Sequence, residues 1–494
     1  MEIFWSNYMQ SPFEFDLSIP ERGSRGRIKS VHRQLKQAIL SGRIAKAHRL
    51  PSARDLAVHC GLSRNSVTTI YDLLLAEGLI LARRGSGYYV VDVLPDEAAA
   101  NRAIADRMKP PAGFAQLGPA PRLFFSGAAT PAKFDFQLGL PERPQGAFLE
   151  TWRSLSARAL RSMTKTPPFY GNPQGEAELR SAVAAHVSAT RAVVCEADDI
   201  VITAGAQQAF DLIARCLVTP GETVVAVENP GYPPPIALFR ASGAKIAPVP
   251  VDADGLRVEL LPPEAKIIYV TPAHQFPLGG ILSLERRKAL LSFAHERGAV
   301  VIEDDYDGEF RFDRRPLDAL QMLDDGRSVF FVGTFSKTLF PGLRLGFVIA
   351  PRWCRKHLIA KKQESDRHCD LLGQHTLAAF IREGHMGRHV RRMRDLYAER
   401  RTLIEAGLDG PLSRWLERVP GSAGLHVAAY LRRPADDLAL SKWLETLGIH
   451  CEALGAYAVG QRGRPGLAFG YGGIAAERIG EGLRLLECEL EGKG

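Results

Sequence analysis

From Ile28 to Leu40 the apolar positions Val31, Leu35, Ile39 and Leu40 recur at helical spacing, Arg33 and Lys36 take the other face, and Ser41-Gly42 follows as a stop. Ser52 is placed to cap a short helix carrying Leu56 and Ala57. Cys60-Gly61-Leu62 makes a tight turn, and Ser63 is placed to cap the next helix, where Val67, Ile70, Leu74 and Leu75 form the buried stripe. After Gly78 the pattern becomes extended from Leu79 to Val91, broken by Arg83-Arg84-Gly85-Ser86-Gly87, which predicts a hairpin with a basic tip. Helix pair, glycine turn and hairpin together predict a winged helix-turn-helix domain over residues 24–92.

Residues 93–131 are rich in Ala, Pro and Gly, show no sustained apolar period, and read as a partly flexible linker. Beyond them the pattern changes scale. Apolar runs at Ile200–Thr203, Thr223–Val227, Lys266–Thr271, Ala299–Glu303, Ser328–Val332 and Leu345–Ala350 alternate with helical stretches such as Ala206–Val218 and Leu284–Arg297. Strands apolar throughout, separated by helices, predict an α/β domain over residues 132–494: a mostly parallel sheet covered on both faces, with a small C-terminal lobe.

The 494 residues contain no apolar run long enough to cross a membrane, and Met1 to Gly23 forms no apolar signal core, so a cytoplasmic protein is expected. Seven scattered cysteines without a C-x-x-C pair indicate neither a disulfide framework nor a zinc site. Of the net charge of +8, about +6 falls in residues 1–91, which points that segment toward a polyanion. Arg64, Asn65, Ser66, Thr68 and Thr69 cluster at the N-terminal end of the second helix of the pair, where side chains suit base edges and the helix end suits phosphate.

In open parallel sheets ligands sit beyond the carboxyl ends of the strands. There this sequence places Gly205-Ala206-Gln207-Gln208, which opens a helix, then Asn229-Pro230-Gly231-Tyr232-Pro233, Asp304-Asp305-Tyr306 and Gly333-Thr334-Phe335-Ser336-Lys337, with Arg344 seven residues after the lysine. Singly, Lys337 reads as a surface lysine and Asp304 as a cap or an ion-pair partner. As a set they supply what pyridoxal phosphate needs: an amine for a Schiff base, a carboxylate for the ring nitrogen, a phenol for the ring hydroxyl, an aromatic face, and an anion cradle with an arginine.

The stretches Leu50-Pro51-Ser52-Ala53-Arg54-Asp55-Leu56-Ala57, Gly61-Leu62-Ser63-Arg64-Asn65-Ser66-Val67 and Gly85-Ser86-Gly87 resemble the N-terminal domain of GntR-family bacterial regulators. That resemblance implies a DNA-facing set of Arg54, Ser63, Arg64, Asn65, Ser66 and Thr68, with Arg83, Arg84 and Gly85 from the wing. Residues 132–494 resemble the fold-type I (aspartate aminotransferase) pyridoxal-phosphate enzymes through Thr271-Pro272-Ala273-His274-Gln275-Phe276-Pro277-Leu278-Gly279, Glu303-Asp304-Asp305-Tyr306-Asp307 and Gly333-Thr334-Phe335-Ser336-Lys337 to Arg344-Leu345-Gly346. The combination is similar to the MocR subfamily of GntR regulators. It implies that Lys337 holds the cofactor, Asp304 pairs with the ring nitrogen, Tyr306 serves the ring hydroxyl and Tyr232 stacks on the ring. Gly205, Ala206, Gln207, Thr334, Ser336 and Arg344 surround the phosphate, and Gln275 joins the cofactor-binding set. Tyr170 reaches a neighbouring subunit's phosphate, which implies a homodimer.

Three positions depart from the pattern. Family members that sense amino acids carry an arginine two residues after the stacking tyrosine and another in the small lobe; here Pro234 and Gly455 or Ala456 stand there, so a carboxylate gripped by that pair is not expected. Gly308 replaces a common serine, with the loss of a hydroxyl and little else expected. His385 and His389, four apart, lack a third metal ligand, and Arg388, Arg391, Arg392 and Arg394 read as a solvated basic face with a secondary DNA contact as the alternative. Two functions stay open: a DNA-binding regulator that senses an amine, an amino acid or the cofactor through an aldimine at Lys337, and an active aminotransferase with an accessory DNA-binding domain. A domain kept only for dimerisation is disfavoured by the complete cofactor set.

Overall fold

Helix α1 (Arg27–Leu40) buries Val31, Leu35, Ala38 and Ile39 along one stripe. In the computed structural model, which describes residues 13, 17–18, 26–83, 85–92, 132–165, 169–312 and 318–493, the chain divides into two compact units, Met1–Arg122 and Leu123–Gly494. The predicted linker 93–131 and Arg84 lie outside the described residues, apart from these unit limits.

In the first unit α2 (Ala53–Cys60) starts on Ser52, whose hydroxyl accepts from the Asp55 N–H at 3.2 Å, and it ends at Gly61 in a left-handed conformation. Helix α3 (Arg64–Ala76) starts on Ser63, which accepts from the Ser66 N–H at 3.1 Å. Strands β1 (Ile80–Arg83) and β2 (Gly87–Val90) pair antiparallel with Arg83 opposite Gly87, and the apolar faces of all five elements meet in one core. The stripe of α3 differs from expectation in one place: Tyr71 is fully buried and Leu75 only partly. Tyr71 lies one turn from Val67 on the same face, its ring packs 4.7 Å from that of Tyr88, and its hydroxyl donates to the Pro51 carbonyl at 2.8 Å. Tyr71→Phe orphans that carbonyl and is expected to cost about 1 kcal/mol, read as about fivefold faster hydrogen exchange of α3 amides in the full chain.

The second unit begins with β3 (Phe134–Asp135). Its main sheet comprises β4 (Ile200–Thr203), β5 (Val224–Asn229), β6 (Lys245–Asp252), β7 (Gly255–Leu256), β8 (Ala265–Val270), β9 (Val300–Asp305), β10 (Val329–Thr334) and β11 (Gly346–Ile349), in the order 4-11-10-9-8-5-6-7. Strands β10, β9, β8, β5 and β6 run parallel, and β11 runs antiparallel to both its neighbours. Alternate residues serve opposite faces: Ile302 packs with helix Ala206–Leu217, and Val301 with helix Leu284–Arg297. All six predicted strands are present. Strand β6 was not expected, because Pro248 and Pro250 interrupt its pattern; its residues Lys245–Pro250 pair with β5, while the short β7 meets only Val251 and Asp252 on its other edge. Missing N–H groups are tolerated on such an edge.

The small lobe carries β12 (Leu416–Arg418), β13 (His426–Leu431), β14 (Ile449–His450), β15 (Glu452–Ala453) and β16 (Gly466–Gly470). Strands β12, β13, β16 and β15 form a sheet in that order, and β14 pairs parallel with β3. Helix His385–Asp409 packs on that sheet through Tyr397, Ile404 and Leu408. No helix of the described residues is long and apolar enough to cross a membrane.

Candidate functional site

The carboxyl ends of the parallel strands bring the predicted residues to one region. Lys337, three residues past β10, donates from Nζ to the Gly139 carbonyl at 2.7 Å. Burial pushes the amine's pKa down, with Asp307, Asp304 and Glu452 opposing. Gly139 has φ 71°, and a Cβ there would lie 2.5 Å from Nζ, so only glycine leaves the lysine in place. Gly139→Ala is expected to displace the amine at a cost of about 1–3 kcal/mol, cutting cofactor affinity about tenfold in a spectroscopic titration.

Asp304 is the penultimate residue of β9, at 3% exposure. Its Oδ2 accepts from the Tyr269 hydroxyl at 2.6 Å, while Oδ1 is buried with no partner. Burial raises the carboxyl pKa to about 7, against the Tyr269 hydrogen bond. A buried oxygen left unpaired is costly, and a pyridinium N–H is the donor that satisfies it and favours its ionised form. The site therefore fits pyridoxal phosphate on its own chemistry.

The walls are aromatic. Tyr232 caps helix Pro233–Ala241 and meets Phe276 edge-on at 5.2 Å, and Phe276 in turn contacts Tyr306 and Tyr457. The Tyr306 hydroxyl lies 2.9 Å from the His274 carbonyl oxygen and 2.9 Å from His274 Nδ1. Gln275 is buried with its amide turned to the protein: Nε2 donates to the Pro230 and Phe276 carbonyls at 2.9 and 2.6 Å, and Oε1 accepts from the Leu278 N–H. It braces its own loop, so its place in the predicted cofactor set is not supported by side-chain geometry.

At the other end Gly205, with φ 82°, opens helix Ala206–Leu217. Its Cβ position would lie 3.2 Å from both terminal nitrogens of Arg344. Arg344 donates to the Ala204 carbonyl at 2.7 Å, and the Ala204 N–H donates to Gln208 Oε1 at 2.8 Å, so this turn is held from both sides. The Thr334 hydroxyl donates to Ser336 Oγ at 3.1 Å and accepts from the Ser336 N–H. Helix end, arginine and hydroxyls make an anion cradle, with Ala206 and the exposed Gln207 on its first turn. Tyr170 is 74% exposed, with the Arg367 guanidinium 4.5 Å over its ring.

The sequence passes over several of these residues. Gly139, Tyr269 and Glu228 carry no local signal; Glu228 is buried and accepts from the Thr271 hydroxyl at 2.6 Å. At Gly308 the expectation of little effect fails: a Cβ would come within 2.2 Å of Asp305 Oδ1 and 2.7 Å of the Arg191 guanidinium carbon, so a serine would push apart the buried Arg191–Asp305 ion pair. Pro234 sits in the first turn of its helix, and the Gly455 N–H donates to Asp437 Oδ2, so neither offers a cation. His385 and His389 turn to different partners, Arg388 and the Thr338 carbonyl. Of the basic run, Arg394 donates to the Glu309 carbonyl and Arg388 to that of Glu383, while Arg391 and Arg392 are exposed.

In the first unit Arg54, Ser63, Arg64, Asn65, Arg83 and Gly85 are exposed, and Ser66 and Thr68 half-buried. Thr68 spends its hydroxyl proton on the Arg64 carbonyl, and Arg83 stacks on Tyr89 at 4.7 Å.

Residues 27–90 match the family described as bacterial regulatory proteins, gntR family, and residues 139–468 match aminotransferase class I and II. The chain is 34% identical to the probable rhizopine catabolism regulatory protein MocR of Rhizobium meliloti over 93% of this chain and 92% of that protein. It is 30% identical to the pyridoxine biosynthesis transcriptional regulator PdxR of Corynebacterium glutamicum over 89% and 90%. Among solved structures it is similar to the α-aminoadipate aminotransferase LysN of Thermus thermophilus complexed with N-(5'-phosphopyridoxyl)-L-leucine, with a TM-score of 0.67, 29% identity, and coverage of 73% of this chain and 92% of that one. A GntR-type DNA-binding region and a pyridoxal-phosphate aminotransferase region thus lie in one chain, and the chain belongs to the MocR subfamily of GntR-family transcription regulators.

Proposed function

We propose that the protein is a sequence-specific DNA-binding regulator that reads a primary amine, an amino acid or the cofactor itself at Lys337. When bound, pyridoxal phosphate supplies an aldehyde carbon for which primary amines compete. In this reading Lys337 is the covalent anchor, Asp304 Oδ1 holds the ring nitrogen's proton, and Tyr306 and Tyr232 serve the ring hydroxyl and the ring face. Gly205, Ala206, Gln207, Thr334, Ser336 and Arg344 bind the phosphate, and Tyr170 completes that cradle from the partner of a homodimer. Arg54, then Ser63, Arg64, Asn65, Ser66 and Thr68 at the start of α3, and the wing residues Arg83, Arg84 and Gly85 contact operator DNA.

The observation that carries the reading is the unpaired buried oxygen of Asp304, present in the same chain as an exposed, capped recognition helix. Regulation further requires that the effector bind two arrangements of the protein unequally. The Pro234 and Gly455 positions favour an effector held by its amine over one clamped by a pair of arginines.

The test is a titration of the cofactor's visible band with amines, amino acids and pyridoxal phosphate, run beside operator binding and a keto-acid assay. One ligand class is expected to shift the band and change DNA affinity without sustained product. Steady product release with DNA affinity unchanged would make the aminotransferase reading the right one.

A further inference from the structure

Behind Tyr306 lies a polar cluster that the proposed function does not use. His274, Asp307 and His426 are each at most 2% exposed and come from the loop after β8, the loop after β9 and the start of β13. His274 Nδ1 lies 2.9 Å from the Tyr306 hydroxyl and 3.0 Å from Asp307 Oδ2, an oxygen that also accepts from the Leu425 N–H at 3.2 Å. The ring of His426 lies 4.5 Å from that of His274, and its Nε2 meets the Pro277 carbonyl at 3.0 Å. Gly424 closes the cluster: a Cβ there would stand 2.0 Å from His274 Nδ1 and 2.6 Å from Asp307 Oδ2.

We propose that His274, oriented by Asp307, is a positioning residue that fixes the direction in which the Tyr306 hydroxyl donates; this rests on Tyr306 serving the cofactor's ring hydroxyl. Burial, with Arg401 and Arg311 alongside, holds the imidazole pKa down at about 3, so the ring is neutral and carries one N–H. An ionised Asp307 only accepts, and the nitrogen it faces is Nδ1, so the ring proton sits there. Burial pushes Asp307 up to about 7, with His426, Lys337 and the Leu425 N–H opposing that rise. With Nδ1 a donor, Tyr306 cannot donate back to it. The phenol proton is left for the His274 carbonyl or for the ring oxygen in front, while the single Nδ1–H is shared between Asp307 Oδ2 and the phenol oxygen, at 3.0 and 2.9 Å. Gly424 and Leu425 tie this arrangement to the small lobe through the lead-in to β13.

The same three residues, with ligand atoms within 4.8 Å of one another, also match a metal-binding set. Their existing hydrogen bonds and the nearby guanidinium groups of Arg401 and Arg311 favour the hydrogen-bonded arrangement.

The test is a pH titration of the visible band of the cofactor-loaded, full-length protein. Tyr306→Phe is expected to raise the midpoint by about 1 unit, because the charged ring oxygen loses a donor. His274→Phe is expected to raise it by about half as much or more, and the double variant to add nothing to Tyr306→Phe alone. His274→Asn, whose amide can replace the Nδ1 donor, is expected to return the midpoint toward that of the unmodified protein. If His274→Phe does not fold, Asp307→Asn takes its place with the same expected direction. A midpoint that stays put in the His274 or Asp307 variant while Tyr306→Phe moves it overturns the positioning role. No shift in Tyr306→Phe overturns instead the reading of Tyr306, and one equivalent of tightly bound metal in the purified protein overturns the hydrogen-bonded cluster.

Discussion

Lys337→Ala is expected to abolish the visible band of the bound cofactor and every amine-dependent change in it, while operator affinity stays within about threefold of the unmodified protein. The first half follows from the proposed chemistry, in which the amine beside the Gly139 carbonyl is the nucleophile; alanine has none. The second half follows from architecture. The two units have separate cores, one built on α1 to α3 and the wing, the other on the large sheet, and a change confined to one leaves the other's stability nearly untouched. Absorbance and fluorescence anisotropy with labelled operator DNA give the two readouts on one preparation. A well-folded Lys337→Ala protein that binds no DNA would show that the units are not separable.

Arg64→Ala is expected to give the reverse pattern. Arg64 is the first residue of α3, is exposed, and stands beside the Ser63 cap, so its side chain is free to meet a base edge or a phosphate. Losing a paired arginine contact costs about 1–3 kcal/mol, roughly five- to 150-fold in operator affinity. The cofactor spectrum and its amine response should not change. Weakening that is equal on operator and unrelated DNA would assign Arg64 to the backbone and leave base reading to Asn65 and its neighbours. Unaltered operator binding would show that the recognition helix has been misplaced.

Much of this architecture is legible along the chain because its signals are local. A strand buried on both faces is an unbroken apolar run, and the chemistry lies within a few residues of its end, as Asp304 stands near the end of β9 and Lys337 follows β10. Helix caps at Ser52 and Ser63 are equally local. What stays hidden depends on distant partners or on tertiary compensation. Strand β6 looks broken by its prolines until the unpaired stretch of its edge is known. Nothing near Gly139 announces a lysine 198 positions away, and His274 and His426 meet across 152 residues, joined by Asp307 between them. Gln275 shows the opposite failure: a polar residue within a motif reads as a ligand contact, whereas the buried carbonyls of its own loop claim the amide first.

The pairing of Lys337 with Gly139 bears on how such a sensor resets. An incoming amine that takes the lysine's place must leave a buried amine behind, and an unpaired one costs about 1–3 kcal/mol. The Gly139 carbonyl, 2.7 Å from Nζ, gives the displaced group a hydrogen-bond acceptor. In the proposed reading this contact lowers the cost of displacing the lysine, so release of the effector is helped as well as capture. One glycine in a left-handed turn, by leaving room for the amine, would thereby keep a site of this kind reversible.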